Sequence, residues 1–140
     1  NTARTDSRAD ALNDEAHVWF LIPESIDDPT ILQHCRAMLD AHEREKLGRF
    51  IFADDRHRYL ISHALVRSAL SYYANVAPHD WCFSQGLHGR PEVINDNQPR
   101  LRFNLTHTNG LAACIVTIAG IFTFKTEVII SSIHLYVLHC

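Results

Sequence analysis

The four cysteines, at positions 35, 82, 114 and 140, include no C-x-x-C pair. In a chain of this size that argues against a disulfide lattice and for reduced thiols in a reducing, cytosolic compartment. His79-x-x-Cys82 is the one close His/Cys pair and lacks a second pair to complete a zinc site, so no metal ligand is assigned. Neither charge sign dominates: 13 basic residues against 16 acidic ones leave −3, which speaks against a wholesale grip on nucleic acid. The stretch from Asn1 to His17 lacks the basic-then-apolar layout of an export signal. There is no internal repeat and no low-complexity tract. The apolar end, Ile121 to Cys140, is long enough to span a bilayer but carries Lys125, Glu127 and His134. Since a charge at the bilayer centre costs about 2.5–3.5 kcal/mol, the segment reads as strand material and no membrane partner is expected.

What is present suits one soluble globular domain: 140 residues, 46% hydrophobic and 21% charged. Residues 1–40 hold three Arg against eight acids, residues 41–67 six basic groups against four acids, and residues 68–140 four against four. The one positive block is therefore Arg44 to Arg67. Residues 1–16 read as a flexible acidic leader, 17–120 as a folded lobe, and 121–140 as a divergent apolar tail.

Val18 to Ile22, closed by Pro23, fits a buried strand. Asp28-Pro29 opens a helix, a capping residue followed by proline in the first turn. Helical spacing then runs to about Phe50 with an interruption near Ala41, and Phe50-Ile51-Phe52 reads as an aromatic plug for the core. Asp54-Asp55 is expected to cap a second helix from Arg56 to about Asn75. Arg56, His63 and Arg67 share one face of it, seven and eleven positions apart. Beyond Pro78 short apolar runs predict strands at Trp81–Phe83, Leu101–Leu105 and Leu111–Ile118, with turns at Gly86–Pro91 and Asn109-Gly110. The class predicted is α+β, two helices on a mainly antiparallel sheet.

Several short pieces occur in order: Lys46-x-x-Arg49-Phe50, Asp55-Arg56-His57-Arg58-Tyr59-Leu60, His63-Ala64-Leu65-Val66-Arg67, Gly89-Arg90-Pro91, and Phe103-Asn104-Leu105-Thr106-His107-Thr108. Taken singly they are bland: a helical Arg is ordinarily a solvated charge, and Gly-Arg-Pro an ordinary turn. Together they resemble the phosphopantetheinyl transferase superfamily, in its large monomeric, carrier-protein-activating type, over roughly His17 to Ala119. The resemblance implies transfer of the phosphopantetheine arm of coenzyme A to a serine of an apo acyl or peptidyl carrier protein, assisted by Mg²⁺. It assigns Lys46 and Arg58 to the ribose phosphate, and His88, Gly89 and Arg90 to the loop along the nucleotide. Asn104, Thr106 and His107 fall to the turn that contacts the coenzyme phosphates, and Arg67 to a helix position near the site. Phosphates do want Arg and Lys donors, and the positive 41–67 block supplies them.

After Gly120 the chain departs from the family. The G-[IV]-D-[IVL]-E and W-x-x-K-E-[AS]-x-x-K elements, whose carboxylates hold Mg²⁺, are not in this sequence. No Asp follows Asp96, and Glu127 is the only acid downstream of it. The sequence thus carries one half of the family's pseudo-twofold, two-lobed fold, and the 140-residue chain is expected to be inactive alone. The catalytic base is unassigned. A non-catalytic binding or interaction module, derived from the coenzyme-binding half, is the alternative reading.

Overall fold

The computed structural model describes residues 8–85, 89–96, 98–108, 110–118 and 133–137. Strand β1 (Ala16–Leu21) leads through a 3-10 turn, Pro23–Ser25, to helix α1 (Pro29–Met38), whose start is fixed as the sequence predicts: Asp28 accepts from the N–H groups of Thr30 (2.8 Å) and Ile31 (3.3 Å). The helical stretch expected to reach Phe50 divides in two at the interruption expected near Ala41. Leu39 and Asp40 are extended, and Asp40 restarts the chain as helix α2 (Ala41–Arg49) through a capping box with Glu43. Helix α3 (Ala53–Tyr73) follows. Its N-cap is Phe52, without a side-chain cap; Asp54 and Asp55 lie inside the first turn, where they complement the helix dipole instead of capping.

The aromatic plug is not one. Ile51 is 86% and Phe52 68% exposed, and only Phe50 turns inward, against the Tyr59 ring. At the other end Ala9 and Leu12, within the stretch read as an unpacked leader, are buried in the core. Residues 1–7 lie outside the described residues.

Strands β4 (Leu101–Thr108) and β5 (Leu111–Ile118) form the hairpin expected around Gly110, whose φ of +92° is a glycine conformation; Asn109 itself lies outside the described residues. The sheet order is β4-β5-β1-β6, where β6 (Ile133–Val137) runs parallel to β1 and the other pairings are antiparallel. Alternate residues of β5, Ala112, Cys114 and Val116, are buried, and α3 packs on β5 and β4 through its own buried face, Leu65, Ala69 and Tyr73 among it. Burial pushes the Cys114 thiol up to about 12. Cys35 and Cys114 are buried and Cys82 is exposed.

Strand β2 is Phe83–Gln85, not Trp81–Phe83, and it pairs with β3 (Pro91–Val93), a strand where only the end of a turn was expected. The shift has a local cause. One Nη of buried Arg67 donates to the carbonyls of Pro78 (2.9 Å) and Trp81 (3.0 Å), pinning 78–81 as a turn before a strand can begin. Opposite, the Asn95 side chain accepts from Cys82 N–H (2.7 Å) and donates to the Asp80 carbonyl (3.0 Å), which ties the β3 arm down.

Candidate functional site

Helices α2 and α3 form one wall of a cleft of about 430 Å³; strands β2 and β4 form the other. Its floor is a polar network. Arg67, fully buried, donates from Nε to Glu43 Oε1 (2.7 Å) and from Nη2 to Asp40 Oδ2 (2.8 Å). The second oxygen of Glu43 accepts from His63 Nδ1 at 2.7 Å, and the His63 ring stacks on Tyr59 with centroids 4.0 Å apart. Burial pushes the Glu43 carboxyl up, but hydrogen bonds from His63, the Asp40 N–H and Arg67, with the Arg67 charge, outweigh it and hold the group below its ordinary value. Tyr59 goes the other way: burial first, then the Glu43 and Asp40 charges, raise its hydroxyl to about 12. The Glu43 carboxylate is thus an anion locked to Arg67, and Tyr59 is a neutral phenol.

Lys46 stands one turn beyond Glu43 on α2 and lines this cleft, exposed, its Nζ 5.7 Å from the centre of the Tyr59 ring. It has no ion pair among the described residues. Asn104, exposed on β4, faces the same cleft. Two residues predicted for the site, 58 positions apart (104 − 46), therefore line one cleft. Arg90 lines a second cleft of about 630 Å³ between the 90–99 segment and β4, and Asn104 borders that one too. Gly89, beside Arg90, has φ +74°, which only glycine adopts freely.

The remaining predicted residues stand apart. Arg58 lines neither cleft and is engaged by Asp55 (2.6 Å) and Glu24 (3.8 Å). Thr106 and His107 are exposed on β4, beyond the stretch that lines either cleft. His88 lies outside the described residues. Of the three helix residues grouped on one face, His63 and Arg67 do converge on Glu43, whereas Arg56 turns back to the Phe50 carbonyl (2.7 Å). Asp40, Glu43 and Tyr59 were not singled out, although two signals for them are in the sequence. Asp40-x-x-Glu43 has capping-box spacing, and Tyr59, His63 and Arg67 recur every four residues.

Mg²⁺ asks for oxygen ligands in near-octahedral array. Among the described residues no three His, Cys, Asp or Glu side chains gather as such a set, and the carboxylates at the cleft are committed to Arg67 and His63. The described residues do not fit the metal.

A family model described as 4'-phosphopantetheinyl transferase, N-terminal, matches residues 28–119, and the chain belongs to that family. It is 35% identical over 108 residues to the 4'-phosphopantetheinyl transferase HetI of Nostoc sp. (strain PCC 7120), a match covering 75% of this chain and 44% of that protein. To the 4'-phosphopantetheinyl transferase Sfp of Bacillus subtilis (strain 168) it is 31% identical over 78 residues, 56% of this chain and 34% of that one. The chain spans less than half the length of these relatives. The fold is shared with a holo-(acyl-carrier-protein) synthase of Bacillus anthracis solved with CoA (3',5'-ADP): TM-score 0.55 at 12% identity, covering 74% of this chain and 93% of that one. The Helicobacter pylori holo-[acyl-carrier-protein] synthase, solved with coenzyme A, superposes at TM-score 0.51 and 12% identity, covering 74% of this chain and 99% of that one.

Proposed function

We propose that this chain is the coenzyme-A-facing lobe of a phosphopantetheinyl transferase, the enzyme that moves the phosphopantetheine arm of coenzyme A onto a serine of an apo acyl or peptidyl carrier protein. The observation that carries the reading is the cleft inside the family-matched span that is lined by Asn104 and by Lys46, a cation with no ion pair among the described residues. The solved neighbours hold coenzyme A or its 3',5'-ADP part, which supports that ligand here. The chain's own share is to bind and orient. Lys46 meets a phosphate as a mobile point charge, and Asn104 offers an amide donor from a rigid strand. Arg90 at the neighbouring cleft, with Gly89 beside it, holds the nucleotide, and His88, outside the described residues, is assigned to it by the resemblance alone. Arg58, Thr106 and His107 enter on the resemblance alone, Arg58 by exchanging its exposed carboxylate partners for a phosphate.

Transfer breaks the coenzyme's pyrophosphate P–O bond while the serine oxygen bonds to phosphorus, and the charge that builds needs neutralising. The described residues supply cations for binding but no metal-ligand set, so the 140-residue chain is expected to bind without turning over. Among the described residues no helix is long and apolar enough to cross a membrane; the cysteine spacing of the sequence, without a C-x-x-C pair, is what supports a reducing, cytosolic compartment. The test is intact-mass spectrometry of an apo carrier protein incubated with the chain, coenzyme A and Mg²⁺, alongside a coenzyme-binding measurement. Binding with no added phosphopantetheine mass is expected. Rapid modification refutes the inactivity of the chain; failure to bind coenzyme A refutes the lobe assignment.

A further inference from the structure

The second cleft has features that coenzyme binding leaves unused. Besides Arg90 it is lined by Arg100 and Arg102, all three exposed. None has an ion-pair partner among the described residues, although Glu92 and Asp96 line the same cleft. They are three of the four basic residues in 68–140. A lone surface arginine means little, but three unpaired in one concavity raise a local positive potential in a chain of net charge −3.

The wall that bears Arg100 and Arg102 is also a sheet edge. Among the described residues, in the order β4-β5-β1-β6, β4 has β5 on one side and no strand on the other, and β3, which adjoins it in space, pairs with β2 alone. Consecutive residues from Arg100 to Asn104 line the cleft, as they do where a strand's edge, and not just one of its faces, borders the opening. The alternate N–H and C=O groups of an edge strand that point away from its single neighbour have no ladder partner, and they accept an added extended strand. Apolar contact is available as well, since Val93 and Ile94, the latter 54% exposed, line the opposite wall.

We infer that the β4 edge and its arginines form a docking site for an extended acidic segment of a partner protein, which adds as a strand beside β4 and sets its carboxylates against Arg100 and Arg102. The backbone groups along a strand edge, beside arginines without ion pairs among the described residues, suit an extended acidic polypeptide, which can meet both at once.

The probe is a fluorescent peptide of alternating Glu and Val, of β4's eight-residue length, titrated by anisotropy into the full chain with backbone amide shifts followed by NMR. The expected result is saturable binding that weakens with salt, shifts concentrated on 101–105, and loss of binding for a peptide N-methylated on its pairing edge. Arg100→Ala and Arg102→Ala should each weaken it about tenfold, as loss of one charge-assisted contact does. Both arginines are exposed, and an unchanged amide spectrum elsewhere shows that the variants fold. Coenzyme A binding should weaken less than peptide binding in both, since the nucleotide is assigned to Arg90 and not to these residues. The inference is overturned if the acidic peptide binds no better than its Lys/Val counterpart, if the arginine variants bind it equally well, or if inorganic tripolyphosphate binds the cleft and the peptide does not.

Discussion

Arg67 shows how one residue can build a site without lining it. Its guanidinium, fully buried, joins the start of α2 through Asp40 and Glu43, the 78–81 turn through carbonyl oxygens, and the Phe83 ring at 5.0 Å. The charge is tolerable because every direction in which it donates finds an acceptor. Glu43 gives the network a pH signature. Its carboxyl is held below the ordinary 4.5 in the folded chain, so its contribution to stability is fully present above that value and disappears as pH falls through the lower, folded one. Urea midpoints measured from about pH 6 down to about pH 3 should therefore fall more steeply for the native chain than for Glu43→Gln, whose midpoint is lower at neutral pH. Parallel curves for the two chains would remove Glu43 from the account.

At the scale of elements, the helix starts rank themselves. Asp28 caps α1 at an exposed position, and Asp28→Ala should cost about 1 kcal/mol. Asp40 caps α2 and also pairs with buried Arg67, which keeps Glu43 when Asp40 is lost, so Asp40→Ala should cost more than Asp28→Ala, about 2–3 kcal/mol for a cap plus a charged hydrogen bond. Equal losses in chemical denaturation would mean that Asp40 acts as a cap alone. The same elements show what sequence can convey. The start of α1, the β4–β5 hairpin and the long buried stripe of α3 rest on local signals, namely a cap with proline, Asn-Gly, and apolar period, and all three are found. The division at Asp40 carried a local signal in its capping-box spacing. Phe50-Ile51-Phe52 carried none: three apolar residues in a row say core, and only the closeness of one helix end to the next start leaves Ile51 and Phe52 outside. Ala9 and Leu12 lie in too short a stretch to show a period, and their burial depends on the sheet above them.

At the scale of the whole molecule, the site was legible as a list but not as a place. The ordered motifs identified Lys46, Arg90 and Asn104, and the fold brings Asn104 to both clefts because β4 runs between them. Asp55, three residues before Arg58 on the same helix, is a local signal that this arginine is engaged, whereas its Glu24 contact comes from the far side of α1 in the chain and has none. The single connected core beneath both clefts also explains why removing one exposed cation should change binding and leave folding intact. Isothermal titration calorimetry of coenzyme A into the 140-residue chain and into Lys46→Ala tests the central claim most directly. The account predicts saturable, salt-sensitive binding by the native chain that weakens by about tenfold or more in Lys46→Ala, with the thermal unfolding of the two free chains alike. Absence of binding, or equal affinity in both chains, would contradict it.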